Sequence, residues 1–289
     1  MAKKKTLKKP QLHLCAAGWT LTNYPSEKKQ WSNEIKVKRA KEAGFAGFSA
    51  GADATLVAAL KKHEMPLVGG VDIASVAEAE GKLAPFKAAG AMHINVQLCD
   101  HDSSLDDALK VARKVILVGR ALGIKPAIEL HRDTFTETPE KAYGLARAYE
   151  KLHKEKLRMN FDHSHPAIIK QLRPDSYWER LSQRIDLLRM SELIHLRPFT
   201  GSHCQTPVTN GRGRLDLDFE TWRDCFCKPM LQSWLSGARA GKELWAVIEL
   251  GPKGSGYGMD CFPDIWKDAI AARAEIEKLW KNLLRKWKK

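Results

Sequence analysis

Four short stretches decide the fold: Ala127-Ile128-Glu129-Leu130-His131-Arg132, Asn160-Phe161-Asp162-His163-Ser164-His165, Leu193-Ile194-His195-Leu196-Arg197 and Val247-Ile248-Glu249-Leu250. Each is an apolar run too short for a helix, and each ends on a polar or charged residue, as a buried parallel strand does. Similar runs precede them. Together they give eight expected strands, at residues 11–16, 45–49, 66–71, 92–98, 125–129, 158–162, 192–196 and 244–249. Helical patterns fill the intervals at 31–43, 52–62, 75–89, 104–122, 139–153, 166–171, 176–188, 219–236 and 263–287. Gly44, Gly90 and Gly123 stand just past helix ends, and Pro139 opens a helix behind Thr138, its cap.

Eight strand–helix units without a break in composition predict an α/β chain folded as a single (β/α)8 TIM barrel over residues 10–289, behind a basic flexible tail at 1–9. The rival is a doubly wound open sheet. It lacks the glycine-rich phosphate loop it needs after the first strand, where Cys15-Ala-Ala-Gly18-Trp19 stands. No internal repeat is present. Hydrophobic residues at 44% and charged residues at 28% of 289 exclude disordered and collagen-like classes.

The net charge of +14 suggests nucleic acid until it is located. Residues 1–9 hold five Lys and residues 278–289 six Lys or Arg, with no acid in either stretch, so the remainder is nearly neutral at 37 basic against 34 acidic residues. A specific nucleic-acid surface is therefore not expected. No apolar run reaches the roughly 18 residues of a membrane span. The stretch at 12–20, with His13 inside it, is short for a signal-peptide core. Six cysteines are too few for a disulfide framework, so reduced thiols in a cytoplasmic protein are the expectation.

In a TIM barrel the chemistry lies at the carboxyl ends of the strands. Strands five to eight deliver Glu129, Asp162, His195 and Glu249 there. Taken singly, each has a structural explanation: a carboxylate paired with Arg132 or Arg197, a histidine satisfied in the core. Taken together, three carboxylates and an imidazole at one rim repel one another unless a divalent cation sits among them. Mixed oxygen and nitrogen ligands suit one Mn, Zn, Co or Mg ion and not a soft thiolate site. Asn95 and Gln97 share one side of strand four and are candidates to line the pocket or to fill the barrel.

On these residues the sequence resembles the xylose isomerase-like TIM barrels, the group of sugar isomerases, sugar epimerases and abasic-site endonucleases. The resemblance covers residues 125–252 well and the first half by layout. The family's Glu, Asp, His, Glu ligand set falls on Glu129, Asp162, His195 and Glu249, its D-x-x-H on Asp162 and His165, and an E-x-H-R stretch on Glu129 to Arg132. The resemblance implies an isomerase or epimerase acting on a small carbohydrate. The metal would polarise a carbonyl and stabilise the enediolate, with Glu129 and Glu249 as the acid/base pair. It further implies that His165 bonds a substrate oxygen, that Arg197 holds substrate or steadies a ligand, and that His131 and Arg132 stand behind Glu129 near the substrate. Homo-oligomers are common in the family.

The alternatives left open are a lyase that expels the C1 substituent of 3-keto-glycosides, an abasic-site endonuclease and a non-catalytic barrel. The endonuclease branch needs further histidines. Strand three ends on Asp72 without one, His101 is one candidate, and no Asp-x-His follows His195. The long polar stretch 200–214 suits a lid. Residues 251–258, after strand eight, lie where barrels often bind phosphate, though no helix start is fixed behind them. Trp266 and Trp280 are expected on the barrel wall, with Trp287 free.

Overall fold

The structure is a computed structural model and describes residues 8–288. Eight parallel strands close on themselves in chain order: β1 (Gln11–Ala17), β2 (Gly47–Ala50), β3 (Leu67–Ile73), β4 (His93–Leu98), β5 (Lys125–Glu129), β6 (Met159–Asp162), β7 (Leu193–Leu196) and β8 (Glu243–Ile248). Closure comes from β1 against β8, paired from Gln11 with Glu243 to Ala16 with Ile248. This is the expected TIM barrel. Residues 1–7 of the expected tail lie outside the described residues, and the Lys8 carbonyl accepts a hydrogen bond from Gly241 N at 2.6 Å.

The helices are α1 (Asn33–Glu42), α2 (Ala54–Lys62), α3 (Glu78–Ala88), α4 (Leu105–Leu122), α5 (Pro139–His153), α6 (Ser164–Ile169), α7 (Tyr177–Leu181), α8 (Ile185–Met190), α9 (Leu217–Trp222), α10 (Lys228–Gly237) and α11 (Ile265–Arg285). The punctuation acts as expected. Thr138 caps α5 through Lys141 N, and Gly123 ends α4 in the left-handed conformation. Among the described residues, no helix is long and apolar enough to cross a membrane.

Three expectations need correction. The helix expected at 176–188 is two, because Arg184 leaves helical geometry and its guanidinium engages Asp186 and Glu150. The helix expected at 219–236 carries a π turn at Arg223–Cys227. Pro229 follows it; proline has no N–H to give and clashes with the carbonyl four residues back, and a wider turn relieves both problems. Trp287 is half-buried against the core and not free, while Trp266 and Trp280 pack as expected.

The period of two along each strand divides the side chains. One set joins the large core between barrel and helices; the other fills the interior, where Cys15, Ala17, Val68, Leu193 and Val247 form a separate apolar layer. Gly47 is required beside it: a Cβ there would lie 2.9 Å from Cys15 Sγ and 3.1 Å from the Trp245 ring. Above that layer the interior turns polar, and the register decides which polar groups meet. Glu129 pairs with Asn160, Asp162 with His195, and Leu196 with Ile248, so all four candidate ligands reach the same end of the barrel.

Candidate metal centre

Glu129, Asp162, His195 and Glu249 each present one ligand atom, and the four atoms lie within 4.8 Å of one another. Glu129, Asp162 and His195 are buried; Glu249 is slightly open, its side chain 18% exposed. His195 Nδ1 stands 2.7 Å from Glu129 Oε1 and 2.8 Å from Glu249 Oε2. These approaches are close but not aligned for hydrogen bonding. Glu129 Oε1, Asp162 Oδ2 and both nitrogens of His195 are buried without a hydrogen-bond partner. Buried polar atoms of this kind are costly, and a shared cation is what such a donor set satisfies. The residues therefore fit a divalent ion.

The candidate ligands are also held by residues around them. Asn95 Nδ2 donates to Glu129 Oε2 at 2.5 Å, and Asn160 Nδ2 in turn donates to Asn95 Oδ1 at 2.8 Å. Ser164 donates to Asp162 Oδ1 from its backbone N (2.9 Å) and its Oγ (2.6 Å). Arg197, itself buried, reaches Glu249 Oε2 at 2.8 Å and Asp162 Oδ2 at 3.2 Å through one nitrogen. Such partners set ligand orientation and basicity.

Burial alone would raise the pKa of each carboxyl. His195 beside Glu129, Arg197 and His165 beside Asp162, and His195 with Arg197 beside Glu249 outweigh it. Glu129 is lowered, Asp162 lies well below its ordinary range, and Glu249 falls to about 2. Burial opposes charge on His195 too, yet Glu249 and Glu129 raise it well above its usual value. His165 has only one close carboxylate, Asp162 at 3.4 Å, so burial wins and holds it at about 4, neutral at pH 7.

A cavity of about 530 Å³ opens over the cluster, with His195, Arg197 and Glu249 at its base and Asn95, Gln97, His131, Trp19, Asp72 and Tyr257 on its walls. His131 Nδ1 donates to the Arg132 carbonyl at 2.5 Å, and its ring lies 4.2 Å from that of His165. Arg132 stacks on Tyr257, with 4.0 Å between Cζ and the ring centre, and touches Cys204. Glu129 is thus oriented by Asn95 and not by a hydrogen bond from His131 or Arg132. His101, the candidate for an extra endonuclease ligand, sits in an exposed group with Asp100 and Asp133.

Three residues escaped sequence reasoning. Asn160 had a signal, lying two positions before Asp162 and so on the same face. Trp19 follows the first strand directly and answers to the same strand-end rule. Tyr257 had none: it arrives on the loop after β8 and lies between Arg132 and Arg197, 4.3 Å from the latter's Cζ. Its approach depends on Gly251, where a Cβ would come within 2.6 Å of Tyr257 and 2.7 Å of Trp19. No helix begins in 251–258; the next starts at Ile265. That loop is held by its neighbours. Thr20 exchanges hydrogen bonds with the backbone of Leu250, and Gln205 does the same with Gly251. The stretch expected as a lid is also anchored, since Asp268 accepts from Val208 N and from the N and Oγ1 of Thr209.

No protein-family profile and no curated protein sequence matches the chain. Solved structures do. The chain superposes on a D-tagatose 3-epimerase-like protein with a TM-score of 0.60 at 12% identity, covering 95% of this chain and 99% of that one. A xylose isomerase-like TIM barrel protein from Mycobacterium smegmatis, in complex with magnesium, gives 0.56 at 13% identity, covering 98% and 100%. The fold is that of the xylose isomerase-like barrels. Within this fold the probable 3-DHS dehydratase of petrobactin synthesis from Bacillus anthracis is also similar, with a TM-score of 0.53 at 13% identity over 94% and 99% of the chains. Xylose isomerase-like barrels thus include both epimerase-like and dehydratase neighbours of this chain.

Proposed function

We propose that this xylose isomerase-like barrel is a divalent-metal-dependent enzyme that isomerises or epimerises a small carbohydrate by moving a proton at a carbon next to a carbonyl. The observation that carries this reading is the bracketing of His195 by Glu129 and Glu249, at 2.7 and 2.8 Å, where His195 and Glu249 line an open cavity and Glu129 is buried beside them. One carboxylate takes a proton from the substrate and the other returns one from a different direction, which is the requirement for inverting or relocating a C–H bond. Glu129, Asp162, His195 and Glu249 would hold the ion, which when bound would polarise the carbonyl and offset the charge left by the departing proton.

The remaining residues divide the supporting work. Asn95 fixes one oxygen of Glu129 and leaves the other unpartnered. His165, fully buried, neutral and with neither nitrogen hydrogen-bonded, is the residue we assign to a substrate oxygen. Arg197 steadies Glu249 and Asp162. Trp19 and Tyr257 wall the mouth and reduce the water around the reacting atoms. The test is solvent exchange: metal-loaded protein incubated with ketohexoses in D₂O should place deuterium on the carbon beside the carbonyl. Absence of exchange with every ketose and 3-keto-glycoside tried would sink the reading.

A second reading keeps the same proton abstraction and expels the C1 substituent of a 3-keto-glycoside. A further cleft against the site favours it.

A further inference from the structure

The loops above the barrel enclose a second cleft, of about 490 Å³, between the segment after β1, residues 205–207 after β7, and residues 250–253 and 262–265 after β8. It adjoins the catalytic cavity. Thr22 lines both, and the consecutive residues Glu249 and Leu250 line one each. A molecule whose reacting end lies at Glu249 therefore has room to continue past Thr22.

The lining indicates what would continue there. Tyr24, Pro25, Pro207, Pro252, Phe262 and Pro263 make an aromatic and proline-rich wall. Prolines have no N–H to donate and little freedom to lose when a ligand settles on them. Several polar groups of the lining are engaged: the Tyr24 hydroxyl donates to Asp264, the Gln205 amide is paired with Gly251, and Asp268 accepts from Thr209. Thr22, Asn23, Ser26 and Glu27 are exposed to solvent. Thr206 is the buried exception. It is 4% exposed, lines the cleft, and its hydroxyl has no hydrogen-bond partner. A buried hydroxyl left unpaired is unfavourable, and a turn of the Thr206 side chain toward a polar atom arriving in the cleft would satisfy it.

We infer that this cleft is a subsite for the C1 substituent of the substrate, an aromatic ring bearing one polar group that bonds the Thr206 hydroxyl. The substrate class becomes a glycoside with an aromatic aglycone, and not a free monosaccharide. The sugar end of this inference rests on the second reading of the function proposed above, elimination from a 3-keto-glycoside; the aromatic end rests on the cleft alone.

Two sets of probes separate those halves. Phenol by itself, titrated by ligand-observed NMR, should bind saturably, with affinity lowered at least about fivefold in Phe262→Ala. Thr206→Val, which keeps the side-chain shape, should weaken phenol and leave toluene unchanged. Next, phenyl and methyl β-D-glucopyranoside, which lack the carbonyl and so do not react, are compared by calorimetry on metal-loaded protein. The phenyl glycoside should bind about tenfold tighter or more, the scale expected for burying an aromatic ring. Phe262→Ala should remove that advantage without changing the methyl glycoside. Equal affinity for the two glycosides, or phenol binding indifferent to both variants, would overturn the subsite. If neither glycoside binds while phenol binds and responds to both variants, the carbohydrate reading fails and the aromatic site stands.

Discussion

Arg197 holds Glu249 at two points: Nε donates to its backbone carbonyl at 3.2 Å, and Nη2 meets Oε2 at 2.8 Å. With the same Nη2 near Asp162, one buried guanidinium steadies candidate ligands from two strands. Removing one member of a buried charge group typically costs about 3–5 kcal/mol, because the remaining charges lose their compensation. Arg197→Met should be destabilised on that scale in chelated protein. A saturating divalent ion should recover part of the loss by supplying positive charge to the same carboxylates. Urea unfolding with EDTA and with Mn²⁺ checks this; an equal cost in both conditions would contradict the shared site.

Glu129→Gln and Glu249→Gln keep size and shape but hold no transferable proton. Each should lower turnover by about a thousandfold or more while leaving circular dichroism unchanged. Activity within tenfold of the parent in either variant would remove it from the acid/base pair.

Metal analysis by ICP mass spectrometry should find about one equivalent of Mn, Zn, Co or Mg per chain, lost in a Glu129→Ala/Asp162→Ala double variant. Because a ligand at a hundred times its Kd stabilises by about 2.7 kcal/mol, chelation should lower Tm by several degrees in the parent and hardly at all in the double variant. Close to three zinc ions per chain would revive the endonuclease alternative.

At the opposite end of the barrel, burial, aided by Lys125, holds His93 at about 4. The unfolded chain, with an ordinary histidine pKa near 6.5, takes up the proton first as pH falls. The neutral form's contribution is therefore complete above about pH 6.5, declines between 6.5 and 4, and is lost below that; it amounts to about 3 kcal/mol. His93→Gln should flatten this part of the stability–pH profile, measured by urea midpoints at pH 7 and pH 4.5. A slope as steep as the parent's would assign the acid sensitivity elsewhere, to His163 or His165, which are also held at about 4.

The barrel was legible because alternation of short apolar runs with helical stretches is a local property, and so was the candidate cluster, since Glu129, Asp162, His195 and Glu249 each stand at the end of such a run. Two kinds of feature were not. Backbone irregularities such as the π turn before Pro229 depend on how a helix resolves one missing N–H, which no periodicity records. The clamps on the ligands depend on cross-strand register. Asn95 on β4 meets Glu129 on β5 and Asn160 on β6, and only the register of these three neighbouring strands brings the side chains together. Tyr257 depends on still less local terms, the path of a loop and the missing side chain of Gly251.

Consecutive backbone positions Leu250 and Gly251 are each gripped by a side chain from a different loop, Thr20 and Gln205. The rim above the carboxylates is therefore laced together, and its three segments are not independent units of variation. A change of length in any one of them would strand hydrogen-bonding groups on another, so new specificities on this scaffold have to arise by joint replacement. An engineer wishing to re-aim the site would transplant the three segments as a set and leave the strands below untouched.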